Sequence, residues 1–255
     1  MFYDAKAANL PQPHFAPAAS DCGLCPVRAC LGRTCAGDAA TAWTSMLAPR
    51  SAVMPGAKPL FCAGDELQAL YSVRGGCIKT STVDGDGNER IRGFYFPGDL
   101  VGLDAMHDGR LRSTATAVVA SQVCVAPLHS LTRLMQQHVD VARQLMTQTS
   151  RELALALALS GNFTAEQRLA AFLLHLQERM PTLDGLLHLP MTQRDIGNYL
   201  RLATETVCRT LKSFEKRGWL RCEDKGIRFL SMPALFRIAE PVGLSVPVSV
   251  LAQAC

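Results

Sequence analysis

The 255-residue sequence lacks any uncharged apolar run of the ~18 residues that a membrane-spanning helix requires. Its opening, MFYDAKAANLPQPHF, has an acid at Asp4, scattered prolines and no apolar core of signal-peptide length. Secretion is therefore not indicated, and the cytoplasm is the expected compartment. Also missing are a G-x-S-x-G elbow, a Walker loop and an H-E-x-x-H pair, while His14, His107, His129, His138, His175 and His188 show no metal-binding spacing. GGC and GDG read as turn glycines rather than phosphate cradles. No enzyme is expected. With 48% apolar and 19% charged residues, the chain falls in the globular class and is long enough for two domains.

Cysteine is plentiful. Of ten cysteines, four fall within CGLCPVRACLGRTC: Cys22, Cys25, Cys30 and Cys35. In a reducing compartment such a cluster holds metal or does redox chemistry more readily than it forms structural disulfides. On spacing alone, zinc, an iron–sulfur centre and redox thiols all remain open. The scattered Cys62, Cys77, Cys208, Cys222 and Cys255 read as core or surface thiols.

Residues 1 to about 45 show no sustained period and read as an arm. From about Met54 to Pro127, short apolar or β-branched runs alternate with turn signals such as Asp84-Gly85-Asp86-Gly87-Asn88 and Pro97-Gly98, the pattern of a small β-sandwich or β-roll. The segment after His129 then runs to Gly161 without proline or glycine, predicting one long helix. Leu134, Val141, Leu145, Met146, Leu153 and Leu157 recur along it at helical steps. They define either a face packed on the helix's own domain or a dimer seam. A second helix is predicted over Ala165–Glu178, capped by Thr164.

Next comes a basic module. Between Pro190 and Leu230, nine Lys/Arg stand against five Asp/Glu, so this segment carries a net +4, equal to the whole chain. In PMTQRDIGNYLRLATETVCRTLKSFEKRGWLRCEDKGIRFL, the spacing predicts a helix over Gln193–Tyr199 capped by Thr192, a tight turn, and a second helix over Thr204–Lys216: a helix-turn-helix followed by a two-stranded wing. Ile196, Leu200, Leu202, Val207 and Leu211 would fill its core. Thr204, Glu205, Cys208 and Arg209 would lie at the exposed start of the second helix, where side chains reach base edges. Arg209 can donate bidentately to guanine and Glu205 can accept from cytosine N4. Thr192 and Arg201 are further candidate DNA contacts. Charge and pattern together point to double-stranded DNA as partner.

The stretches LFCAGDELQALYSVRGGCIKT, FPGDLVGLDAM, QRLAAFLLHL and DIGNYLRLATETVCRTL resemble the Crp/Fnr superfamily of bacterial transcription regulators, and more its oxygen-sensing fumarate-nitrate branch than its cyclic-AMP branch. The likeness runs from about Leu60 to Leu230. It implies an α+β chain: an N-terminal β-roll of the cyclic-nucleotide-binding jelly-roll type, a long dimerisation helix and a C-terminal winged helix-turn-helix. The implied boundaries are arm 1–45, β-roll sensor domain 46–130, dimerisation helix 131–161, DNA-binding domain 162–240 and tail 241–255.

The resemblance also implies a homodimer on a two-fold DNA site, with Leu145, Leu153 and Leu157 in the dimer interface and the base-reading pair on Glu205 and Arg209. It implies a [4Fe–4S] cluster on Cys22, Cys25, Cys30 and Cys124, with Cys35 the alternate for Cys30, which oxygen degrades and which favours dimerisation. RNA polymerase contact falls on the hairpin tip, at Asp84, Asp86, Gly87 and Glu89. The chain departs from the family pattern at Arg201, where glycine is usual; at Cys208, in place of serine or glycine; and in the more apolar long helix around Leu153, which predicts a stronger dimer. The alternatives are a cyclic-nucleotide sensor using Asp99, Arg112-Ser113-Thr114 and Thr149-Ser150, or an arm that holds zinc, or a redox-thiol or haem variant of the same fold.

Overall fold

Short β-branched runs bounded by turn residues become strands: β1 (Ala48–Val53), β2 (Ala69–Gly75), β3 (Ile78–Val83), β4 (Glu89–Tyr95), β5 (Leu100–Val101), β6 (Thr114–Ala117) and β7 (Ser121–Pro127). The computed structural model describes residues 48–242 apart from 54, 57, 181–184, 224 and 225. The arm cysteines Cys22, Cys25, Cys30 and Cys35 and the end of the tail lie outside these residues. The strands form two sheets, in the orders β1-β7-β2-β5 and β4-β3-β6, with every pairing antiparallel. Leu70, Val73, Ile78, Val101 and Val123 fill the roll between them. Burying each such side chain stabilises by about 1.5–3 kcal/mol. The β3–β4 hairpin closes as its sequence demands, because the Asp84 carboxylate accepts from the Asp86 and Asn88 amides at 3.1 and 2.9 Å.

The predicted single helix is two. Helix α1 (Leu128–Gln137) ends where His138 turns extended (φ −132°, ψ 98°), and α2 (Val139–Ser160) starts at once. Leu131 and Leu134 before the break, and Val141 and Leu145 after it, all enter the roll core. Their spacing stays helical across His138, so periodicity carries no sign of the kink.

The C-terminal part contains α3 (Ala165–Arg179), β8 (Leu186–His188), α4 (Gln193–Leu200), α5 (Thr204–Lys216), β9 (Leu220–Glu223), β10 (Gly226–Phe229) and α6 (Met232–Ala239). Thr164 caps α3 in a reciprocal box with Gln167. The wing has a third strand, in the order β8-β10-β9. A Cβ at Gly226 would sit 2.1 Å from the Leu187 carbonyl oxygen, so only glycine lets β10 approach β8 this closely. The core of this head unites Leu173, Ile196, Val207, Phe214 and Ile227 with Cys77 and Phe96 of the roll. Burial and nearby Asp195 push the Cys77 thiol up to about 12, which leaves it an inert core group.

Candidate DNA interface and cysteine site

The helix-turn-helix forms through local bonds that the sequence announces. Thr192 and Asp195 make a capping box at the start of α4: the Asp195 amide donates to the Thr192 hydroxyl and the Thr192 amide to the Asp195 carboxylate, both at 3.1 Å. The Thr192 hydroxyl also donates to Asp195 at 2.6 Å. Burial opposes the charge on Asp195, yet the Thr192 bonds and Lys79 hold its carboxyl below the usual carboxylate range.

Arg201 ends α4 in the left-handed region (φ 57°, ψ 44°), the one non-glycine residue with positive φ among the described residues. That conformation costs an arginine roughly 1 kcal/mol. Within the turn, the Leu202 amide donates to the Gly197 carbonyl at 2.8 Å, and a Cβ on Gly197 would stand 2.7 Å from the Leu202 oxygen. Glycine 197 is therefore required by the turn itself.

Helix α5 buries Val207, Thr210, Leu211 and Phe214, and its opposite edge is open. Glu205 and Arg209, one turn apart, are exposed, and Thr204 and Cys208 beside them are half-buried. Arg201 and Arg194 are exposed next to this edge. The Cys208 thiol donates to the Gln193 side-chain oxygen at 2.6 Å. Gln193 was not a candidate in the sequence; its proximity to Cys208 depends on how α4 and α5 cross, which spacing along either helix does not encode.

On the roll, Cys124 lies on β7, 4% exposed, and its Cα is paired with Ser72 of β2. The Ser72 hydroxyl is buried without a hydrogen-bond partner. Strand β1, which follows the arm in sequence, pairs along the other side of β7: Ala48 opposite Val125, Ser51 opposite Val123, with a register shift between them, beside Cys124. Among the described residues no group of three or more His, Cys, Asp or Glu is arranged to hold a metal; the other expected ligands lie outside those residues.

Of the three leucines expected at a dimer interface, Leu145 differs from the other two in burial. It is 4% exposed in the roll core, whereas Leu153 and Leu157 are 58% and 63% exposed, with Val139 and Met146 at 69% and 70%. At the β3–β4 tip, Asp86 and Gly87 are exposed, Asp84 is occupied with its turn and Glu89 pairs with Lys79 at 2.9 Å.

A family model described as a Crp-like helix-turn-helix domain matches residues 167–238, and one described as a cyclic nucleotide-binding domain matches residues 54–138. The fumarate and nitrate reduction regulatory protein of Escherichia coli K12 is 40% identical over 187 residues, 71% of this chain and 74% of that protein. The chain belongs to the Crp/Fnr family of transcription regulators. A second Crp/Fnr relative, the transcriptional regulatory protein btr of Bordetella pertussis, is 38% identical over 184 residues, 70% of this chain and 76% of its own. The solved structure of FixK2 from Bradyrhizobium japonicum superposes with a TM-score of 0.66 at 28% identity, covering 78% of this chain and 98% of that one. These Crp/Fnr proteins regulate transcription and are not enzymes.

Within this Crp/Fnr fold Asp99, Arg112 and Thr149, three residues of the cyclic-nucleotide alternative, make contacts inside the chain. Asp99 accepts from the Phe96 amide at 2.8 Å and is ion-paired with Arg179 of α3. Arg112 pairs with Asp108, and the Thr149 hydroxyl donates to the Leu145 carbonyl of its own helix at 3.0 Å.

Proposed function

We propose that this regulator binds a two-fold DNA site as a homodimer in the cytoplasm and that its DNA affinity responds to oxygen through a [4Fe–4S] cluster. Cys22, Cys25 and Cys30 of the arm, with Cys124 of β7, would hold the cluster, and Cys35 is the alternate for Cys30. The observation that carries this reading is the pairing of β1 along β7, which brings the chain emerging from the arm alongside Cys124. The orphaned Ser72 hydroxyl at the same register fits a neighbour rich in acceptor sulfur. Bound there, the cluster would rest on four cysteine thiolates and supply the oxygen-responsive group of this reading. Thiolate ligation by the arm couples its ordering on the roll to occupancy of the site.

Each protomer presents the α5 edge to a major groove. Arg209 donates bidentately to guanine and Glu205 accepts from cytosine, each pair discriminating by roughly 1–3 kcal/mol. Arg201 contacts a phosphate and sets register rather than sequence. Dimerisation uses the exposed face of α2 at Met146, Leu153 and Leu157, and the β3–β4 tip around Asp86 meets RNA polymerase when genes are activated.

Purification without oxygen, with iron and sulfide analysis and absorbance in the iron–sulfur band, tests the sensor. The expected result is a coloured dimer with four irons per protomer, by the stoichiometry of a cubane, whose affinity for a palindromic site falls as air is admitted. A colourless, zinc-containing protein whose DNA binding ignores air would overturn it, and a rise in affinity with cyclic AMP would favour the nucleotide alternative.

A further inference from the structure

The reading head is fastened to the roll by a contact that neither the DNA edge nor the cysteine site uses. Strand β4 is the outer strand of its sheet, so one side of its backbone has no neighbouring strand. Asn198 of α4 occupies that side: its side-chain oxygen accepts from the Ile91 amide at 2.8 Å and its side-chain nitrogen donates to the Glu89 carbonyl at 2.7 Å. A primary amide is the one uncharged side-chain group that offers a donor and an acceptor side by side, as a peptide unit does. One side chain thus closes the sheet edge.

Two neighbours on α4 grip the same region. Lys79 of β3 reaches Glu89 at 2.9 Å and Asp195 at 3.5 Å. Tyr199 packs edge-on against Phe94 of β4, centroids 5.3 Å apart, and against Phe172 of α3 at 5.5 Å. A separate tie, Asp99 to Arg179, joins the roll to the far end of α3. Two ties at different places oppose rotation of the head as well as its separation from the roll. The docked head leaves Glu205 and Arg209 exposed, so this arrangement is compatible with reading DNA.

We propose that Asn198 is a positioning residue: by clamping α4 to the edge of β4, it fixes the head on the roll and thereby the half-site spacing that the dimer accepts. The inference rests on the two-fold DNA reading above. In a dimer joined through α2, each head's place relative to its partner is set through its own roll, and a loose head would tolerate half-sites moved closer or further apart. Only part of the stabilisation lost with these two hydrogen bonds in each protomer reaches DNA affinity, through the looser register of the heads, and a weakening of about tenfold is expected.

The test measures affinity of the full-length protein for a two-fold site, for the same half-sites moved one base pair closer or further apart, and for a single half-site. Asn198→Ala is expected to lose about tenfold on the preferred spacing and little on the altered ones, while half-site affinity holds. Asn198→Asp, which keeps the acceptor for Ile91 but sets an oxygen against the Glu89 carbonyl, should do the same if the alanine variant folds poorly. A uniform fall on every site, single half-site included, or spacing preference unchanged in both variants, would overturn the clamp. Wild-type protein that does not prefer two half-sites to one would instead overturn the dimer reading on which the clamp depends.

Discussion

Helix α2 has two apolar faces with opposite fates. Val141 and Leu145 are 0% and 4% exposed in the roll, flanked by Gln144 and Gln148 at 7% each, while Val139, Met146, Leu153 and Leu157 remain 58–70% exposed. The first face stabilises its own domain, and its presence says nothing about partners. The second contributes nothing to that core, and an exposed apolar stripe of this kind marks an interaction surface. Leu145 and Met146, one position apart, therefore pose different problems, one of folding and, on the proposed dimer, one of assembly.

Changing one face at a time separates those problems. Leu153→Asp should have the largest effect, because an unpaired carboxylate in an apolar seam costs several kcal/mol. Affinity for a two-fold site should fall roughly a thousandfold as the dimer dissociates, with the thermal midpoint of the monomer barely altered. Sedimentation beside DNA titration checks this, and a dimer that survives would place the seam elsewhere. Leu145→Ala should behave oppositely, costing about 3 kcal/mol of stability through a cavity in the roll. Denaturant melts of monomer and dimer should both register it; a change in oligomeric state alone would place Leu145 in the interface.

These two faces also mark how far the sequence could be read. The caps at Thr164 and Thr192, the turn at Asp84–Asn88 and the interval from α4 to α5 are local, and each was legible because a few adjacent residues determine it. Apolar periodicity located the helix but merged its two faces, since an apolar side chain bound for its own core and one left exposed look alike in sequence. Strand β8, only three residues long, was too short to carry a period. The Asn198 clamp joins residues 107 and 109 positions apart through backbone atoms, so no side-chain pattern in β4 announces it. Cys124 could be matched to the arm by resemblance, but the route by which β1 arrives beside it came only from strand pairing.

Glu152 continues the buried face of α2, about two turns beyond Leu145, and is half-buried. It lines a cavity of about 290 Å³ with Tyr95, Asp104 and Tyr199, and burial, then Asp104, push its carboxyl up to about 7 from an ordinary 4.5. A carboxyl with a raised folded pKa favours folding while protonated; that contribution is complete below about pH 4.5 and disappears as pH rises through about 7. Glu152→Gln should then raise stability by about 1–2 kcal/mol at pH 8 and leave it nearly unchanged at pH 4.5. Melts at the two pH values decide it, and an equal gain at both would assign the effect to packing rather than charge.

The smallest expected effect tests whether assembly and reading share one economy of strain. Arg201 holds a left-handed backbone that glycine adopts freely, so Arg201→Gly should gain at most about 1 kcal/mol, reduced by the greater entropy of an unfolded glycine. If the arginine stays there because it holds a phosphate, the same change must weaken DNA binding, and the slope of log affinity against log salt should shrink by about 0.9 per protomer. Stability and affinity would then move in opposite directions from one substitution, unlike the changes on α2, where each face affects one property. A stabilised variant with an unchanged salt slope would leave Arg201 as backbone strain with no contact to compensate it.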